Sequence, residues 1–148
     1  MEEGLAQSLD LRIPSRLEEV AGVGRAVWEF AVRNGASRDA ADALELAVCE
    51  AVNNAIQHAY EGRPGEFVEI AAGFDAGAAT VAVRDRGRAL IRPLPAKGTL
   101  SRPAGPDRVA QRGLGLHIIA EIVDEVRYGS RDGVNELVLR KTLRPPGS

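Results

Sequence analysis

Apolar residues recur three and four apart from Leu44 to Ala59: Leu44, Ala47, Val48, Ala51, Val52, Ala55, Ile56 and Ala59. That spacing predicts a helix with one continuous stripe facing a core. Ser37 is placed to cap its start, and Gly62 to stop it just past Tyr60. An earlier helix is predicted from Ser15 and Glu18, which have the spacing of a capping box. Its expected apolar face is Leu17, Val20, Ala21, Gly24, Val27, Trp28 and Ala31, and Asn34-Gly35 ends it.

The rest of the chain alternates or turns. Ser8–Ile13 reads as a strand. Glu66–Phe74 and Ala79–Asp85 read as two strands joined at Asp75-Ala76-Gly77. Leu114–Val123 has the pattern of a short helix. EVRYGS and VNELVLRKTL form a closing hairpin around Arg131-Asp132-Gly133, and RPPGS, residues 144–148, is expected to be a frayed tail. This grouping predicts one domain over residues 1–148: a two-layer α/β sandwich with a mixed, mainly antiparallel sheet and helices on one face.

The stripe explains only half of the central helix. Glu50, Asn54 and His58 follow one another at steps of four and form a polar ridge, flanked by Asn53 and Gln57. A solvated face normally carries Lys, Arg and Glu. Asn is a poor helix former because its amide competes for backbone groups. Two adjacent asparagines in mid-helix therefore ask for a compensating use.

Composition narrows the classes. A chain of 148 residues buries a sizeable core as one domain. Its net charge of −2 gives no overall pull towards nucleic acid or an anionic membrane. No apolar run approaches the ~20 residues that span a bilayer. MEEGLAQSLD is acidic where a secretory signal is basic and then apolar, so the expected location is cytoplasmic. Cys49 is the single cysteine and there are two histidines, which argues against a disulfide or a zinc site. Charge is uneven, however. From Arg84 to Arg112 eight basic residues face only Asp85 and Asp107, a local excess of six. Residues 86–112 are also rich in Gly and Pro and lack periodicity. Such a segment has the character of a lid that orders around a polyanion or docks an acidic partner.

Three glycine patterns bear on ligands. Gly22-Val23-Gly24 begins a dinucleotide-binding fingerprint, but Val27 replaces its third glycine and the motif lies inside a helical stripe. No phosphate-binding G-x-x-x-x-G-K-[ST] occurs. Gly113-Leu114-Gly115 opens a helix directly after the basic segment, where glycines and free helix amides suit phosphate.

The order is carboxylate–amide helix, strand, Asp85-Arg86-Gly87, basic segment, Gly113-Leu114-Gly115, helix. It resembles the GHKL, or histidine-kinase-like, ATPases. CEAVNNAIQHAYEG looks like the signature helix of their anti-sigma-factor serine/threonine kinases, the RsbW/SpoIIAB type, and GLGLHII resembles that group's second glycine box. The resemblance runs from the first strand to the final hairpin and implies the Bergerat fold with ATP or ADP and Mg2+ as cofactors. By it, Asn54 is the metal ligand, and an amide oxygen suits a hard cation. Glu50 is the general base. Asp85 accepts from the adenine amino group, and Gly87 lets the purine approach. Gly113, Leu114 and Gly115 cradle the phosphates, with Arg112 or another cation of the basic segment screening their charge. His58 and Tyr60 match the pattern as packing or hydrogen-bonding residues at the helix end. Asn53 ranks behind Asn54 for the metal, and His117 is taken as an ordinary helix residue. The sequence departs from the pattern at Ala89, where the first glycine box has a second glycine.

The resemblance implies an anti-sigma factor that phosphorylates an anti-anti-sigma (STAS) protein, sequesters a sigma factor and forms a homodimer, with no direct nucleic acid or membrane partner. Two alternatives share these residues: a partner-switching module that holds nucleotide without chemistry, and a detached catalytic domain of a sensor histidine kinase.

Overall fold

The computed structural model describes residues 8–91, 93–95 and 114–144, with only the backbone of Leu114. The expectations for Arg112 and Gly113, for most of the basic segment and for the tail beyond Arg144 lie outside these residues.

The elements run β1 (Ser8–Pro14), a 3-10 turn (Leu17–Glu19), α1 (Val20–Arg33), α2 (Arg38–Asn54), a π-helical turn (Ala55–Ala59), β2 (Phe67–Asp75), β3 (Ala78–Asp85), α3 (Leu114–Ile122), β4 (Glu125–Arg131) and β5 (Val134–Thr142). The five strands form one sheet in the order β1-β2-β3-β5-β4. All four pairings are antiparallel, so the described strands contribute no parallel component to the expected mixed sheet. Two-residue turns close two of the hairpins, with Ala76-Gly77 and Asp132-Gly133 at positive φ, the left-handed pair that matches strand twist.

The expected stripe of α2 is the centre of the core. Leu44, Ala47, Val48 and Val52 are fully buried, as are Val27 and Phe30 of α1, Val68 and Val81 of the sheet, and Ile119 of α3. Helix α1 and helix α3 both pack along α2. Gly24 permits the first approach: a Cβ there would stand 2.6 Å from Cys49 Sγ. That packing role replaces the dinucleotide reading, because Gly22 and Gly24 lie inside α1.

Three local expectations are corrected. Ser15 caps no helix. Its hydroxyl donates to the Arg63 carbonyl at 3.1 Å and accepts from Glu66 N at 3.3 Å, so tertiary partners outcompete the capping box. The first turn is consequently 3-10, and Leu17 and Ala21 point to solvent while Val23 and Phe30 fill the core. Ser37, by contrast, caps α2 by accepting from Ala40 N at 3.1 Å. The third correction is at the end of α2. Regular α-helix stops at Asn54, and Ala55–Ala59 form the wider π turn. His58 therefore lies within the π turn rather than on the regular α-helix that carries Glu50 and Asn54.

Candidate functional site

Two clusters meet at the end of α2. The first is built on the ridge. Glu50 and Asn54 lie one turn apart and face Gly115 near the start of α3. A Cβ on Gly115 would fall 2.6 Å from Glu50 Oε1 and 3.2 Å from Asn54 Nδ2. The absence of a side chain at Gly115 lets the two helices close with carboxylate and amide between them. Among the described residues, buried Asn54 Nδ2 has no hydrogen-bond partner. A buried unpaired amide is costly and asks for a ligand. Nδ2 as placed would donate to a phosphate oxygen. Turned over, the amide offers Oδ1 at the same point to a hard cation. In either orientation the Asn54 amide has the chemistry to meet a metal–phosphate group.

The second cluster lies where β3 ends. Asp85 Oδ1 accepts from Gly87 N at 2.9 Å and from Asn135 Nδ2 at 2.7 Å. Asn135 Nδ2 also reaches the Gly87 carbonyl at 2.9 Å, and its Oδ1 accepts from Ser130 Oγ at 2.7 Å. Among the described residues Asp85 Oδ2 makes no hydrogen bond, which leaves one carboxylate oxygen for a ligand. Burial pushes the Asp85 carboxyl above the usual range, while the bonds from Asn135 and from Gly87 N pull it back.

The π turn joins the clusters. Its Ala59 carbonyl accepts from Arg88 N at 2.8 Å. Gly87 packs so closely on Ala59 that a Cβ would collide with that carbonyl. The helix that carries Glu50 and Asn54 is thereby bolted to the turn that carries Asp85 and Gly87. Tyr60, next along, is buried, donates to the Phe67 carbonyl and accepts from Arg86 N, both at 2.7 Å. Burial raises its hydroxyl above the usual range, as it does that of Tyr128, so both stay protonated.

The structure therefore gathers Glu50, Asn54 and Gly115 in one cluster and Asp85 and Gly87 in the other. Leu114 begins α3 beside Gly115. Asn135 was not anticipated. Its signal was phase: in β5 it shares the inward face with Leu137 and Leu139, where an amide needs a partner.

The fold is that of a histidine-kinase-like ATPase domain, and comparison with known proteins agrees. The chain belongs to the histidine kinase-like ATPase domain family, whose model matches residues 13–141. Within it the similarity runs to the RsbW type. The chain is 30% identical over 130 residues to the serine-protein kinase RsbW of Bacillus pumilus (strain SAFR-032), covering 85% of this chain and 80% of that one. It is 32% identical over 131 residues to RsbW of Bacillus subtilis (strain 168), covering 87% and 82%. Among solved structures, the RsbU and RsbW domains of Rv1364c from Mycobacterium tuberculosis superpose with a TM-score of 0.67 at 20% identity. That match covers 93% of this chain and 33% of the longer one. The SiaB–SiaC complex from Pseudomonas aeruginosa gives 0.63 at 18% identity, covering 90% and 88%. These two likenesses establish the fold. No helix among the described residues is long and apolar enough to cross a membrane.

Proposed function

We propose that this chain is an ATP-dependent serine/threonine protein kinase of the anti-sigma type. Its substrate is a hydroxyl of an anti-anti-sigma (STAS) protein, and its second partner is a sigma factor that it sequesters. It works in the cytoplasm as a homodimer. The observation that carries the reading is the convergence of Glu50 and the unpaired Asn54 amide on Gly115, across the π turn from Asp85. The RsbW relatives, named as serine-protein kinases, support the kinase reading.

The residues divide the work. Asp85 accepts from the adenine amino group through its free oxygen. Gly87 leaves room for the purine. Gly115, with Leu114, Gly113 and Arg112, meets the phosphates. Asn54 would hold Mg2+, which when bound would neutralise phosphate charge. Glu50 takes the proton of the attacking serine or threonine hydroxyl as its oxygen bonds to the γ-phosphorus and ADP leaves.

Pull-down from native cell extract with and without ATP, followed by a phosphate-transfer assay on the captured protein, tests the reading. Capture of a STAS protein and its phosphorylation on serine or threonine are expected. Nucleotide-dependent capture without transfer would instead favour the partner-switching module.

A further inference from the structure

Residues 86–90 leave the sheet where β3 ends, yet their alternate N–H groups are all taken. Arg86 N donates to the Tyr60 hydroxyl at 2.7 Å, Arg88 N to the Ala59 carbonyl at 2.8 Å and Leu90 N to the Tyr128 hydroxyl at 2.8 Å. Both tyrosines of the chain thus end on one five-residue segment.

Tyr60 does more than fill space. The register pairs Glu69 with Arg84 at the last rung of β2 and β3, and two residues further it would set Phe67 opposite Arg86. The Tyr60 hydroxyl stands between those two groups, donating to the Phe67 carbonyl and accepting from Arg86 N. A phenol can do both at once. It ends the ladder without stranding either backbone group, and it does so one residue past Asp85. Tyr128 takes the other end of the segment from β4, and Glu61 adds an ion pair to Arg88.

We propose that Tyr60 and Tyr128 are positioning residues for base recognition. By fixing residues 86–90 they hold Asp85 and Gly87 at the angle where the free Asp85 oxygen meets an adenine amino group. The inference rests on the nucleotide-binding reading above and adds to it the parts that set its choice of base.

The test is calorimetry on the full chain with Mg-ATP, Mg-GTP and Mg-tripolyphosphate, for the parent, Tyr60→Phe and Tyr128→Phe. Each substitution keeps the ring and removes only the hydroxyl. Tyr60→Phe is expected to lower ATP affinity about tenfold and to narrow the preference for ATP over GTP by a similar factor. Tyr128→Phe, which withdraws one bond rather than two, is expected to move both readouts about threefold. Tripolyphosphate affinity should stay within about twofold of the parent, because base recognition alone is disturbed. Where tripolyphosphate binds too weakly to read, the ATP-to-GTP ratio decides. Equal losses for all probes, or a lower melting temperature with the ratio unchanged, would show a merely structural role and overturn the inference. If Tyr60→Phe does not fold, Tyr128→Phe is judged by the same outcomes. ATP binding by the parent with both variants unchanged overturns the inference alone. No ATP binding by the parent overturns the nucleotide reading, and this inference with it.

Discussion

Asn135 reaches from β5 to the end of β3 and donates through Nδ2 to Asp85 Oδ1 at 2.7 Å. The same amide nitrogen holds the Gly87 carbonyl, so one buried side chain orients both the carboxylate and the turn that follows it. Asn135→Ala would leave Ser130 Oγ and the Gly87 carbonyl without these partners. We expect it to destabilise the chain by about 1–3 kcal/mol and to weaken ATP binding at least as much as it weakens folding. Denaturant unfolding and calorimetry on the same samples check both.

Asp85→Asn separates stability from recognition. Burial raises the Asp85 carboxyl in the folded state. As pH rises from below the unfolded value of about 4, the unfolded chain gives up this proton first. Ionised Asp85 therefore lowers stability at neutral pH, and that loss disappears in acid. The amide keeps Oδ1 as acceptor for Gly87 N and Asn135 but carries no charge to bury. The variant should unfold at a higher temperature than the parent at pH ~7, with the difference shrinking towards pH ~4. Its ATP affinity should fall roughly tenfold or more, because a donor now faces the adenine amino group. Melting curves across that range would refute the assignment if the variant were less stable at neutral pH.

Gly115→Ala tests the seam between α2 and α3. Its Cβ would press on Glu50 Oε1 and on the Asn54 amide. Both are ends of side chains that can move aside, so the fold should survive, with a loss of no more than about 1–3 kcal/mol. Displacing the two groups should reduce phosphate transfer by on the order of 10-fold or more. Transfer at the parent rate in a folded variant would show that the chemistry does not run through this cluster.

Gly87→Ala is the harsher change. Its Cβ would meet the Ala59 backbone carbonyl, which cannot rotate away. The expected outcome is loss of the Arg88–Ala59 bond and a fall in thermal stability together with ATP affinity. Amide exchange at Arg88 should accelerate.

The long-range architecture was legible because period decided it. The stripe from Leu44 to Ala59 buried as the three–four spacing required, and β2 and β5 alternated as their patterns did, while β3 is buried from Val81 to Val83 without alternation. What was not legible was set by distant partners. Ser15 has the spacing of a cap, but the Arg63 carbonyl and Glu66 N lie far along the chain and claim its hydroxyl. The π turn leaves no mark in the apolar pattern, since Ala55, Ile56 and Ala59 remain buried either way; docking of Gly87 on Ala59 shows its use only in three dimensions. Glu50, Asn54, Asp85, Gly87 and Gly115 were proposed from motif and the structure brings them into two neighbouring clusters, whereas Asn135 required knowing which strand lies beside β3.

The role proposed for Glu50 is chemistry on a nucleotide held by its neighbours. Single-turnover phosphate transfer from Mg-ATP to the captured STAS protein, with the parent and Glu50→Gln both saturated with nucleotide, tests it most directly. ATP affinity is expected to stay within about twofold of the parent and transfer to slow on the order of 10²-fold or more, since glutamine keeps the shape but cannot take the proton. Transfer at the parent rate from Glu50→Gln would contradict it.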